Sequence, residues 1–218
     1  MSEKLRNVKN QLNGNVGIIP GDVTSDSTLE QITGEFKKNE VHGLLVNCGG
    51  PPATSFEDSA LPDWDGAYLS VLRWKVDLML RTIPHFKKQG YGRIVFIESA
   101  SVKQPIQNLV YSNSLRMAVV GFVKTLTQEI AGSGVNINIL APGYHKTSAV
   151  DRIIKKKSEK ESITYTEAEN SIPESIPLKR TGDPDDLAKL ALWLLSSSSA
   201  FVSGQLYYID GGMIKSTL

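Results

Sequence analysis

The sequence predicts an α/β fold in which helices flank a parallel β-sheet, within one domain spanning residues 1–218. Three observations carry this prediction. Short apolar runs alternate with longer segments of helical periodicity, as in successive βαβ units. Most of the apolar runs end at turns rich in Gly, Pro, Asn or Asp. The 218 residues, 40% of them hydrophobic, suffice for one sizeable core.

The amino-terminal part of the chain predicts two helices and two strands. Leu5, Val8 and Leu12 share one helical face, which predicts a helix over residues 2–12. Val16–Ile19 predicts a short buried strand that stops at Pro20-Gly21-Asp22. A second helix is expected from about Ser27 to Lys38, followed by a strand over Val41–Asn47.

The remainder of the chain continues the alternation. Asp183-Pro184 is a helix-start signal, because proline is tolerated in the first turn. Residues 144–176 are polar, with weak helical patterning. The other predicted elements are a helix over about 63–86, a strand over 93–97, a helix over about 108–131, a strand over 135–140, a helix containing 187–195 and a last strand over 205–209.

Composition argues against several classes of function. The 24 basic and 23 acidic residues nearly cancel, so neither nucleic acid nor an anionic membrane is an expected partner. The basic run Lys155–Lys157 is followed by acidic residues and is interpreted as solvated. Cys48 is the only cysteine, which rules out an intramolecular disulfide and favours a reducing compartment. No apolar run reaches the length of about 18 residues that spans a bilayer, so a cytoplasmic protein is predicted. His85 and His145 lack metal-ligand spacing, and no metal site is predicted.

The turns after the predicted strands carry a family resemblance. Asp22-Val23-Thr24, Asn47-Cys48-Gly49-Gly50, Glu98-Ser99, Pro142-Gly143 with Thr147, and the closing Asp210-Gly211-Gly212 occur in that order. In order and spacing they resemble the short-chain dehydrogenase/reductase superfamily, and within it the 3-oxoacyl-carrier-protein reductase branch. The resemblance implies a Rossmann-like, three-layer parallel sheet and an NAD(P)-linked oxidoreductase. It also implies the cofactor-binding residues, which are Asp22, Val23, Asn47, Gly49, Gly50, Pro142, Gly143 and Thr147.

One departure from the family pattern concerns the cofactor phosphates. The family places Gly-x-x-x-Gly-x-Gly between its first strand and first helix, where backbone N–H groups meet the pyrophosphate. Here Asp22 lies too close to Met1 for that unit, and Gly14, Gly17 and Gly21 have a different spacing. The sequence therefore predicts a fold without its first βα unit and puts NAD or NADP binding in doubt. Either the polypeptide starts here, or a longer form carries the glycines.

A second departure concerns the catalytic residues. The family has Ser, Tyr and Lys, and counting from Ser99 places Ser112 at the tyrosine position and Arg116 at the lysine position. Tyr111 fits only with a gap, and on a helix it is turned about 100° away from the face of Ser112. Val71 stands where the family has its supporting asparagine. A serine hydroxyl is a weaker acid than a phenol, and arginine stays charged, so the proton transfer of the family is not expected unchanged. For Arg116, binding of an anion and an internal ion pair both remain open.

The predicted catalytic set is thus Ser99, Ser112 and Arg116, and two functions remain possible. One is an oxidoreductase with a degenerate active site and a carbonyl or alcohol substrate of unknown identity. The other is a non-catalytic relative that binds a ligand or a partner subunit. By the resemblance, residues 144–176 match the substrate lid, and helices 63–86 and 108–131 form a dimer or tetramer contact. The apolar residues expected to serve the core and that contact are Leu72, Val76, Met79, Val119, Phe122 and Leu126.

Overall fold

The computed structural model describes residues 3–217, apart from the side chains of Lys4 and Ala149. Four strands form one parallel sheet in the order β1-β2-β3-β4: Gly43–Val46 (β1), Gly92–Ile97 (β2), Val135–Pro142 (β3) and Leu206–Ile209 (β4). The register pairs Leu44 with Ile94, Ile94 with Ile137, and Ile139 with Leu206. All four carboxyl ends consequently meet at one edge of the sheet.

Eight α-helices are described in residues 3–217. They are Glu3–Gln11 (α1), Asp26–Lys38 (α2), Leu61–Tyr68 (α3), Trp74–Gln89 (α4), Val110–Glu129 (α5), Ser148–Glu161 (α6), Tyr165–Glu174 (α7) and Pro184–Leu195 (α8). Short 3₁₀ segments cover Ala100–Val102 and Ser197–Ser199. Within the described chain, no helix is long and apolar enough to cross a lipid bilayer.

The alternation of side chains along β2 divides the core into two layers. Ile94 and Phe96 point into the larger cluster, which α2, α4 and α5 cover with residues such as Leu29, Leu78 and Val123. The neighbours on the other face, Val95 and Ile97, pack against α8 through Ala191 and Leu194. Helices therefore cover both faces of the sheet, as expected of the predicted three-layer α/β fold.

The prediction of a strand over Val16–Ile19 is wrong. This segment forms no regular element, and no hydrogen bond in the described chain pairs its backbone with another segment. A short apolar run becomes a strand only beside a partner edge, and β1 pairs with β2 alone in the described sheet. The sheet consequently has four described strands instead of the five predicted.

The helix predicted over about 63–86 is confirmed, since the backbone is helical without a gap from Leu61 to Gln89. A π-helical segment, Leu69–Arg73, separates α3 from α4. Val71, at the position of the family asparagine, lies within this π-helical segment and is buried. Such wider turns interrupt the usual hydrogen-bond ladder and often occur near functional sites.

The polar stretch predicted as a lid folds into two helices, α6 and α7. Their inner faces enclose a small apolar cluster that includes Val150, Ile154 and Ile172. Thr164 and Glu167 form a capping box at the start of α7, each side chain bonding the backbone N–H of the other. The stretch is therefore an ordered helical hairpin in which only one face is apolar.

A candidate active site at the carboxyl edge of the sheet

Three loops meet at the carboxyl ends of neighbouring parallel strands. Asn47–Gly50 follows β1, Glu98-Ser99 follows β2, and Gly143–Thr147 follows β3. In open α/β sheets this edge is the usual place for a ligand. The helix α5 joins the site through a bridge between Thr54, in the loop after β1, and Leu109, just before α5.

Ser112 and Arg116 lie on the same face of α5, as their spacing predicts. The Nε of Arg116 donates a hydrogen bond to the Oγ of Ser112 over 3.1 Å. Both residues are buried, each exposing 8% of its surface. Ser112, at the position of the family tyrosine, therefore accepts a hydrogen bond from Arg116, at the position of the family lysine.

The partner of Arg116 is Glu98, which is not among the site residues predicted from the sequence. Arg116 Nη1 lies 2.9 Å from Glu98 Oε2, and Lys75 Nζ of α4 lies 2.5 Å from Glu98 Oε1. The Glu98 side chain is fully buried, and that of Lys75 exposes 3%. Of the two possibilities left open for Arg116, the structure thus contains the internal ion pair. We call Lys75, Glu98 and Arg116 the charged cluster.

A signal for this cluster was present in the sequence. Glu98 directly follows an uninterrupted apolar strand, all six residues of which are buried. A carboxylate at the end of such a strand requires a cationic partner, because an unpaired buried charge is costly. The partner itself was not predictable, since Lys75 and Arg116 lie 23 and 18 positions away.

The charged cluster perturbs the protonation of Lys75. Burial lowers the pKa of the Lys75 ammonium, while the negative charge of Glu98 and its hydrogen bond oppose that shift. Arg116 lowers the same pKa further through like-charge repulsion.

Ser99 lies at the end of β2 and is partly exposed. Its side chain caps the following 3₁₀ turn by accepting a hydrogen bond from the Ser101 N–H over 3.2 Å. The hydroxyl hydrogen of Ser99 has no partner in the described chain, so it is able to donate to a ligand.

Tyr111 is buried on the other side of α5 from the charged cluster. Its ring meets Trp64 edge-on at 4.9 Å between centroids, and its hydroxyl lies 3.4 Å from Asp63 Oδ2. Tyr111 therefore packs against α3 and takes no part in the charged cluster.

Pro142 is the last residue of β3, and Gly143 and Thr147 lie in the loop that follows it, beside the end of β4. The Gly143 N–H donates to the Ile209 carbonyl, and Thr147 Oγ1 donates to the His145 carbonyl over 3.3 Å. His145 is buried, with its ring against Gly182, where a Cβ would come within 2.6 Å of ring atoms. Only glycine therefore fits at position 182.

The loop after β1 holds the predicted residues Asn47, Gly49 and Gly50, all exposed. A Cβ added to Gly50 would lie 3.1 Å from Arg116 Nη2, so this glycine admits the guanidinium beneath the loop. The structure thereby brings the Asn47–Gly50 loop to the charged cluster.

The contacts described for Asp22 and Val23 are made with other residues. Asp22 accepts hydrogen bonds from the N–H and Oγ1 of Thr24, which lower the pKa of its carboxyl group. Val23 packs against the larger core cluster. No hydrogen bond or ion pair in the described chain joins either residue to Ser99, Ser112 or Arg116. Among the described residues, no group of three His, Cys, Asp or Glu is placed to hold a metal ion.

Comparisons with known proteins agree with this architecture. Residues 1–214 match the family model described as enoyl-(acyl carrier protein) reductase. The NADPH-dependent reductase BacG of Bacillus subtilis is 27% identical over 91% of this chain and 78% of its own length. A 3-oxoacyl-[acyl-carrier-protein] reductase of Buchnera aphidicola is 26% identical over 96% of this chain and 82% of its own length. The crystal structure of YwfH, an NADPH-dependent reductase involved in bacilysin biosynthesis, superposes with a TM-score of 0.88 at 23% identity, covering 98% of this chain and 83% of YwfH.

Proposed function

The chain belongs to the short-chain dehydrogenase/reductase superfamily, through its enoyl-(acyl carrier protein) reductase family, and on that premise we propose that it is an NAD(P)-linked oxidoreductase of a carbonyl or alcohol substrate. One observation carries the proposal. The loops Asn47–Gly50, Glu98-Ser99 and Gly143–Thr147 lie at one sheet edge, with Ser112 and Arg116 beside them on α5. BacG and the Buchnera aphidicola relative are both named as reductases.

The loop after β3 fits the nicotinamide end of a dinucleotide. Gly143 lies directly against Asp210, where a Cβ would come within 2.8 Å, so the backbone of this loop is held close to the sheet. Thr147 is exposed beside it and offers a hydroxyl. Pro142, Gly143 and Thr147 would hold the nicotinamide, and Asn47 and Gly49 would line the opposite side. The bound cofactor would supply the hydride.

The residues of this chain would orient the carbonyl group and control its proton. The Ser99 hydroxyl has a free hydrogen with which to bind a carbonyl oxygen. Ser112 is occupied as an acceptor for Arg116, and a guanidinium does not release a proton near neutral pH. Proton transfer would therefore use a donor other than a phenol on α5, which is the sense in which the site is degenerate.

A second function is favoured by the charged cluster. Arg116 and Ser112 bond each other, and Glu98 holds both cationic side chains. Ser99 accepts a hydrogen bond from the Ser101 N–H, so all three predicted catalytic groups already have protein partners. An arrangement of this kind also suits a non-catalytic relative that binds a ligand or a partner at the same edge.

Cofactor binding tests the proposal first. Purified chain of verified mass is titrated with NADPH and NADH, and nicotinamide fluorescence is followed. We expect saturable binding at micromolar concentrations, weakened by Thr147→Val and unaffected by Thr166→Val, a change at an exposed position of α7. No binding up to millimolar concentrations would refute the oxidoreductase proposal for this chain and favour the non-catalytic alternative.

Activity tests the residues. Reductase activity toward small ketones and 2-oxo acids is compared among Ser99→Ala, Ser112→Ala and Arg116→Ala. We expect each change to reduce kcat/KM by at least about tenfold, because removal of one stabilising hydrogen bond from a transition state costs that much or more. Activity that survives all three changes would place the chemistry elsewhere.

We also propose that the chain forms a homodimer or homotetramer through α4 and α5. An apolar groove between these helices is lined by Val76, Leu80, Ile83, Phe122 and Leu126, and Leu80 is 72% exposed. A face of this kind is usually covered by a partner. Light scattering after size exclusion should give an oligomer that Leu80→Asp dissociates and Leu178→Asp, at an exposed leucine outside the groove, does not. A monomeric wild-type protein would refute this.

A further inference from the structure

The charged cluster contains more positive than negative side chains. Among the described residues, Glu98 is the one carboxylate that pairs with Lys75 and Arg116, and each of these contributes a cationic group. The exposed fraction of the side chain is 0% for Glu98, 3% for Lys75 and 10% for Arg116. Charge that is removed from water is costly unless it is paired, so this cluster can accept one further anionic group.

Arg116 has one nitrogen still available for such a group. Its Nε donates to Ser112, and its Nη1 donates to Glu98. Nη2 makes no hydrogen bond within the described chain, although Arg116 is 92% buried, since its exposed fraction is 8%. The two hydrogens of Nη2 are therefore unused donors on a guanidinium whose orientation the other contacts fix.

Nη2 points toward the loop after β1. It lies 3.1 Å from the place where a Cβ would stand on Gly50, and this loop is exposed. No backbone hydrogen bond described for residues 3–217 uses the N–H groups of Gly49 or Gly50. A ligand entering beneath this loop thus meets unpaired donors from both the guanidinium and the backbone. Arginine with adjacent N–H donors is a favourable receptor for a planar oxyanion.

We propose that Arg116 Nη2 and the Gly49-Gly50 loop form a binding subsite for a substrate carboxylate. The substrate class is then a carbonyl compound that carries a carboxylate, such as a 2-oxo acid, or the corresponding hydroxy acid. The substrate assignment rests on the proposed oxidoreductase function, whereas anion binding itself does not. In this arrangement Glu98 and Lys75 are positioning residues that hold the guanidinium with Nη2 toward the loop.

Calorimetric titration of the full chain without any dinucleotide tests the subsite independently of turnover. The probes are pyruvate, its uncharged methyl ester and inorganic phosphate. We expect pyruvate to bind at least about tenfold more tightly than the ester, since a hydrogen bond between two charged groups is stronger than one to a neutral ester. Equal binding of acid and ester would overturn the proposal. Binding of phosphate in preference to pyruvate would overturn the carboxylate assignment.

Two variants locate the site. Arg116→Lys keeps a positive charge for Glu98 but removes Nη2, and we expect a loss of about tenfold in pyruvate affinity with no change for the ester. Gly50→Ala leaves the charged cluster intact and places a methyl group against Nη2, so the same loss is expected even where Arg116→Lys folds poorly. Arg73→Lys, at an exposed position of the π-helical segment, serves as the control. Wild-type pyruvate affinity in Gly50→Ala would refute the subsite.

The outcome also separates this proposal from the proposed function. Nicotinamide binding that persists when pyruvate fails to bind would leave the oxidoreductase assignment standing and remove the acidic substrate. Pyruvate binding without nicotinamide binding would retain the subsite and favour a ligand-binding role.

Discussion

The charged cluster and the helical hairpin of α6 and α7 both contain ion pairs, but the pairs differ in their exposure to water. In the charged cluster Glu98 is fully buried between Lys75 and Arg116. At the end of the hairpin, Lys179 and Glu174 also approach within 3.1 Å, yet their side chains are 61% and 75% exposed. Water screens the surface pair and solvates either partner when the other is lost, whereas nothing replaces a missing partner in the cluster. The same residue types therefore differ in energetic weight because of burial.

The largest expected difference comes from removing the acidic partner at each place. Glu98→Gln leaves Lys75 and Arg116 facing each other, and we expect the free energy of unfolding to fall by about 3–5 kcal/mol. Glu174→Gln should lower it by less than about 1 kcal/mol, because that pair is exposed. Urea denaturation of both variants and the wild type measures the two values. Equal losses would show that burial is not the determining factor.

A smaller effect is expected at the edge of the charged cluster. Ser112→Ala removes the acceptor for Arg116 Nε and leaves a buried donor unpaired, which costs about 1–3 kcal/mol. Ser114→Ala, at an exposed position on the same helix, is the matched control and should change stability little. Equal stability of Ser112→Ala and Ser114→Ala in urea would contradict this prediction.

In the helical hairpin of α6 and α7, the expected effect comes from loss of a helix cap and not from a buried charge. Thr164→Ala removes the hydroxyl that accepts the Glu167 N–H at the start of α7, at a cost of about 1 kcal/mol. Thr166→Ala, at an exposed position just inside the helix, is the control. Because this cap belongs to the hairpin, Thr164→Ala should speed amide hydrogen exchange in α7 more than in the strands of the sheet. An equal increase in the exchange rate in α7 and in the strands would contradict a local role of the cap.

The smallest expected effect is a gradual change in the free energy of unfolding with pH. Burial lowers the pKa of Lys75 in the folded state, whereas the unfolded chain keeps the ordinary value of about 10.4. Between these two values the unfolded state binds more protons, so the contribution of Lys75 to stability rises with pH and is lost as pH falls through the folded pKa.

The difference in unfolding free energy between wild type and Lys75→Met isolates this contribution. It should shift in favour of the wild type between neutral pH and about pH 10. A difference that stays constant over this range would refute the lowered pKa. Using the difference cancels the titration of groups elsewhere in the chain, such as Tyr144, whose pKa burial raises.

Several features of the fold were predictable because they depend on neighbours in sequence. The apolar run before Glu98 predicts a buried strand, and β2 occupies Gly92–Ile97. The Asp183-Pro184 start signal is confirmed, because Asp183 caps α8 with its side chain. The strand over Val16–Ile19 was mispredicted, since apolar character alone does not supply a neighbouring strand edge. The helical hairpin was only partly predicted, because the face packed in its small core is short and interrupted by polar residues.

Local patterns in the sequence predict most of the helices and strands in their order, the turns at the carboxyl edge of the sheet, and the common face of Ser112 and Arg116 on α5. Each of these follows from residues within a few positions of one another. Three outcomes emerge only in the folded chain: Glu98 joins Lys75 to Arg116, Nη2 of this arginine faces Gly50, and Val16–Ile19 has no partner strand in the described sheet. Those outcomes depend on contacts between distant segments, and the cost of burying charge selects among them only once the segments have met.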